Sequence, residues 1–148
     1  MMSLSDFISP EEGKRITEAI AEAERHTSGE ICVHVTPKCS GDMMKKAEQK
    51  FNKLGLYKTE HRNAVLLFIA YKSRKFAIVG DTGINKVVPA DYWHQEKETL
   101  AKFLKAQRPA DGICEVVRRI GESLSKYFPE EKNDINEISN EVTFDEDE

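Results

Sequence analysis

The chain has 148 residues, 39% hydrophobic and 32% charged, which suits one domain with its own core and no need of disulfides or a structural metal. Its formal charge of −4 is unevenly spread: residues 129–148 hold nine acids against Lys132, or −8, which leaves +4 on residues 1–128. A pI near 5.7, with scattered basic residues and no interleaved aromatics, argues against nucleic-acid binding. No stretch approaches the roughly 18 apolar residues of a membrane span. The amino terminus lacks the basic and apolar regions of a signal peptide. Cys32, Cys39 and Cys114 form no metal-like spacing and read as structural thiols in a reducing compartment. The composition thus predicts a soluble, cytoplasmic monomer.

Ser9-Pro10-Glu11-Glu12 predicts a helix start, with Ser9 as cap, proline at the first position and Glu12 closing a capping box. The helix should run to about His26, with Ile16, Ala19, Ile20 and Ala23 on one face. Glu30 to Thr36 alternates as a strand does. Asp42 to Leu54 predicts a second helix, ended by Gly55. The unbroken apolar run Ala64 to Tyr71 and the shorter run Phe76 to Val79, joined by Lys72 to Lys75, predict a buried hairpin. Two helices follow, about Asp91 to Ala106 and Asp111 to Phe128, separated by Arg108-Pro109. Ile113, Val116, Val117, Ile120 and Leu124 give the last one a stripe that should cover a face of the sheet.

This order predicts an α/β fold, a three-layer α/β/α sandwich around a small mixed sheet. A helical crossover makes the first two strands parallel, and the hairpin makes the second and third antiparallel. Glu30, Asn63 and Asp81 then share one end of the sheet, while Lys38, Lys72, Arg74 and Lys75 fall at the other. Glu30, Asn63 and Asp81, with Thr82, offer oxygen ligands alone, which suits calcium or magnesium rather than zinc. The alternative is structural: Asp81 shapes a turn and caps the segment at Ile84, and Glu30 pairs with Arg62. Asp111 is a second acidic candidate, or an ordinary helix cap. The histidines form no ligand pair at helical or turn spacing, and no serine or cysteine sits in a nucleophile motif. Tyr92-Trp93 could wall a pocket or pack in the core. Residues 129–148 read as an acidic tail, with Ile135, Ile138 and Val142 at the spacing of a short docked helix and mobility from Asp145 onward.

Gly29-Glu30-Ile31, Arg62-Asn63 before the run Ala64 to Ala70, Arg74 to Asp81 followed by Gly83-Ile84, and Asp111-Gly112-Ile113 together resemble the TPM domain, over roughly residues 9–128. The resemblance implies a three-layer sandwich, divalent-cation binding and, for plant members, acid phosphatase activity. Carried over by position, it points to Glu30, Asn63, Asp81 and Asp111. Many relatives have a signal peptide and a membrane anchor or glycine-rich tail. This sequence shows neither, so a stand-alone module is expected, either an interaction or regulatory domain that binds a cation, a metal-assisted phosphatase, or a metal-independent adaptor with a protein partner.

Overall fold

Side-chain caps start the first helices of the chain. In the computed structural model, which describes residues 2–131 and 140–145, Ser3 and Asp6 form a capping box that opens a short helix, α1 (Leu4–Phe7). Ser9 and Glu12 form another that opens α2 (Pro10–Glu24), with Ser9 Oγ accepting from the Glu12 amide at 3.1 Å and Glu12 accepting from the Ser9 amide at 2.9 Å. The helix stops short of His26 because the chain after it turns into the sheet, where the Ser28 amide donates to the Phe128 carbonyl.

The remaining elements are β1 (Glu30–Thr36), α3 (Met43–Lys53), β2 (Ala64–Ala70), β3 (Lys75–Gly80), α4 (Thr82–Asn85), α5 (Tyr92–Lys105), α6 (Pro109–Tyr127) and β4 (Thr143–Phe144). The sheet order is β3-β2-β1-β4, parallel between β1 and β2 and antiparallel between β2 and β3, as the connections require. Glu30 pairs with Ala64, and Val65 pairs with Gly80, so the predicted end of the sheet is assembled in register.

Both central strands are buried along their whole length. Alternate side chains serve two cores. Ile31, Val33, Val35, Val65, Leu67 and Ile69 pack with α2, α5 and α6, while Cys32, Leu66, Phe68 and Ala77 pack with Ala47 and Phe51 of α3. These are the two helical layers of the sandwich. The α6 stripe of Ile113, Val116, Val117, Ile120 and Leu124 is wholly buried, each side chain contributing about 1.5–3 kcal/mol by leaving water. Cys32 is buried and its thiol is pushed up to about 11 by that burial, in keeping with an inert structural role. Trp93 packs on the core and donates from its ring nitrogen to Asn85 Oδ1 at 2.8 Å, which favours packing over a pocket wall. No helix among the described residues is long and apolar enough to cross a membrane.

One ion pair locks α5 to α6. Glu96 is 1% exposed, and Arg119 reaches it with Nε at 2.9 Å from Oε1 and with a terminal nitrogen 3.1 Å from Oε2. Removing one partner strands a buried charge, which is costly even where the intact pair adds little.

The carboxyl-terminal segment departs from the expected solvated tail. Ile135 and Ile138 of the expected helix lie outside the described residues, but Val142 packs on the core and Thr143–Phe144 forms a parallel strand beside His34 and Val35. Asp145, expected to be mobile, is tied in: its amide donates to the Val35 carbonyl and its carboxylate meets Lys50 Nζ at 3.2 Å. His34 is buried against Phe68, with Nδ1 2.6 Å from Thr143 Oγ1 and Nε2 2.9 Å from Asp145 Oδ2. Desolvation is the largest influence on this imidazole and lowers its pKa below 6.5; Asp145 opposes that shift and Lys50 adds to it.

Two outcomes follow from this packing. Arg119→Ala should lower unfolding free energy by about 2–3 kcal/mol in urea denaturation, less than for a fully enclosed pair because Arg119 keeps part of its side chain in water. His34 has a depressed pKa when β4 is docked, so its contribution is complete above the unperturbed value near 6.5 and is lost as pH falls from there through the docked pKa. Hydrogen exchange should therefore show the Asp145 amide losing protection as pH falls below about 6.5, and His34→Gln should flatten that dependence.

Candidate functional site

Central strands buried on both faces leave polar side chains mainly the ends of the sheet, and this sheet concentrates them at one end. Of the nine buried polar residues among those described, six lie there: Thr27, Ser28, Glu30, Thr59, Asn63 and Asp81. Glu30 opens β1, Asn63 immediately precedes β2, and Asp81 follows β3, its amide donating to the Ala64 carbonyl at 3.0 Å. Glu30 is 3% exposed, Asn63 1% and Asp81 5%. Three segments separated in sequence thus deliver oxygen-bearing side chains to one place.

Their bonding differs. Asp81 is the cap of α4, with Oδ1 accepting from the Thr82 amide at 2.7 Å, as the structural alternative expects. It is also held by Arg62, from Nε to Oδ2 at 2.7 Å and from a terminal nitrogen to Oδ1 at 2.9 Å. The bond with Asp81 raises the Arg62 pKa further, which keeps the guanidinium charged. Arg62 therefore serves Asp81, where the sequence suggested Glu30 as its partner. Asn63 donates from its amide nitrogen to Ser28 Oγ at 3.3 Å, whereas its Oδ1 has no hydrogen-bond partner among the described residues. A buried carbonyl oxygen without a donor costs about 1–3 kcal/mol, and such an atom calls for an explanation.

The local backbone is shaped for this convergence. Arg62 adopts φ 50°, uncommon for a residue with a side chain, and its carbonyl accepts from the Gly83 amide at 2.8 Å. A Cβ on Gly83 would stand 1.9 Å from the His61 carbonyl oxygen, so only glycine lets the loop before β2 lie on the start of α4.

Asp111 is not part of this group. It lies in the first turn of α6, whose other end meets Gly29 and Ser28, and 17 residues of helix span about 25 Å. Its exposed carboxylate is engaged by Arg15 at 2.5 Å and Arg108 at 2.9 Å, which hold its pKa below the usual carboxylate value, Arg108 most strongly. It braces α2 against the start of α6.

The structure adds a cluster with no local sequence signature. Glu60, His61 and Glu131 bring one ligand atom each within 4.8 Å of one another, His61 in contact with Glu131 and tilted against Phe128. It neighbours Arg62 and Asn63 in the chain. Only knowledge that α6 ends beside the loop before β2 could have joined residues 60 and 131. One nitrogen and two exposed carboxylates form a more mixed donor set than the buried oxygens, and the His61 Nε2 contact with Glu131 occupies one atom of each group.

The bidentate Asp81–Arg62 pair, the buried Glu30 side chain and an amide oxygen with no donor among the described residues make this end an electrostatic junction of three segments. Among the described residues it holds neither a serine in a strained nucleophile turn nor a reactive thiol.

Comparison with known proteins agrees with this architecture. The protein BA42 from the psychrophilic bacterium Bizionia argentinensis, solved by NMR, superposes with a TM-score of 0.89 and 34% sequence identity, covering 98% of this chain and 100% of that one. The N-terminal domain of the cg2496 protein from Corynebacterium glutamicum matches at a TM-score of 0.55 and 16% identity, over 84% of this chain and 74% of that one, which shows the shared fold alone. No curated protein matches. The model of the TPM domain family matches residues 2–123, and the chain belongs to that family.

Proposed function

We propose that the chain is a cation-responsive interaction module, with calcium or magnesium held at the polar end of the sheet by Glu30, Asn63 and Asp81. The observation that carries this reading is Asn63 Oδ1: a fully buried acceptor with no donor among the described residues, adjoining the strand ends that carry Glu30 and Asp81. Hard divalent cations take oxygen ligands, and an amide carbonyl between carboxylates is a common part of such sets. The donors fit the group in kind. When bound, the cation would supply the positive charge that the buried oxygens favour and would tie three segments together.

Arg62 is the regulating residue in this reading. Its guanidinium occupies both Asp81 oxygens, so a cation competes with it for that carboxylate. Displaced, Arg62 offers a free guanidinium at the surface, where its side chain is already 48% exposed, and a partner could read that change. A metal-assisted phosphatase would use the same ligands but also needs a group to deliver or accept a proton. His61 is the nearest candidate in the chain and is engaged by Glu131, so binding is the better supported activity.

Calcium titration followed by amide chemical shifts should move resonances around 30, 62–64 and 80–84 and leave Asp111 unmoved. No change into the millimolar range would overturn the proposal. Arg62→Ala should tighten binding, by up to about fivefold on the scale of a half-exposed ion pair, whereas Asn63→Ala should abolish the shifts. Isothermal titration of both variants checks the two directions, and weaker binding by Arg62→Ala would refute the competition.

A further inference from the structure

The opposite end of the sheet carries a cavity of about 700 Å³, within the range of about 300–1,000 Å³ usual for small-molecule sites. Its walls are Phe7, Ile69, Tyr71, Phe76, Leu104 and Pro109, drawn from α1, β2, β3, α5 and α6. Phe7 and Tyr71 stack with ring centroids 5.3 Å apart, which gives the cavity a firm aromatic side.

Arg74, Lys75 and Lys105 also line it, all exposed, and none is ion-paired with an acid among the described residues. Asp6 is the one acid of the lining, and its carboxylate is committed to the Ser3 amide at 3.0 Å in the α1 capping box. What marks the place is that three cations with no carboxylate partner among the described residues ring one apolar hollow, with a single acid beside them. The arrangement suits a ligand with a negative head and an apolar body: the body fills the hollow, and the head meets the rim where exclusion of water strengthens each charge contact.

We infer that this cavity is a binding site for an amphiphilic carboxylate, an acid group on an unbranched or aromatic apolar body. The site is separate from the polar end of the sheet and depends on none of its residues. Charge provides selection for the head group, and the apolar walls provide the affinity that exposed lysines alone cannot.

The full chain, titrated with sodium decanoate and followed by amide shifts, should give saturable changes at 69–76 and 101–107. Decanol, with the tail alone, and acetate, with the head alone, should each bind at least about fivefold more weakly. Lys75→Gln combined with Lys105→Gln removes two exposed charges without touching the core and should weaken decanoate by a similar factor while leaving decanol unchanged. The inference is overturned if decanoate gives no saturable shift into the millimolar range, if decanol binds as tightly, or if the double variant binds decanoate as the parent does.

Discussion

Complete burial of two adjacent parallel strands is the constraint on which the rest of this structure depends. A parallel pair covered on both faces needs a helical layer on each side, and the chain supplies α3 to one and α2, α5 and α6 to the other. With no solvent-facing side, the central strands hold few polar side chains away from their ends, and the one inside β1, His34, is matched by Thr143 and Asp145. Chemistry is thereby displaced to the rims, where loops from distant parts of the sequence meet.

The two rims are opposite in character. One gathers buried oxygens around Asn63 and balances Asp81 with Arg62; the other surrounds an apolar cavity with cations that have no carboxylate partner among the described residues. The long α6 connects them, its start beside the cavity and its end against Ser28 and Gly29. Arg15 and Arg108 on Asp111 and Arg119 on Glu96 brace that helix along its length. This bracing explains why an acid at the start of α6, although part of a family-like motif, does structural work far from the oxygen cluster.

Much of the architecture was legible because its signals are local. The Ser9 capping box, the run from Ala64 to Ala70, the short loop before β3 and the stripe on α6 each depend on residues within a few positions of one another. Strand direction then followed from connection length, and it placed Glu30, Asn63 and Asp81 at a common end. What escaped is non-local. The pairing of Thr143–Phe144 with β1 joins positions more than a hundred residues apart through a two-residue strand, too short to leave a periodic trace in an acidic segment. Likewise, His34 read as one position in an alternating strand, and nothing nearby announces Thr143, Asp145 and Lys50 as its neighbours.

The sequence by itself determined the main elements, their order, the directions of the main strands and the gathering of oxygen-bearing side chains at one end, because hydrophobic period, caps and loop lengths act over short distances. Only the tertiary structure decided which of those side chains are already engaged. It assigned Arg62 to Asp81, removed Asp111 to the far end of α6, left Asn63 Oδ1 without a donor among the described residues and brought His61 to Glu131. Hydrogen-bond and charge partners are set by approach in space, and neither residue type nor spacing encodes which of several nearby cations will reach a carboxylate first.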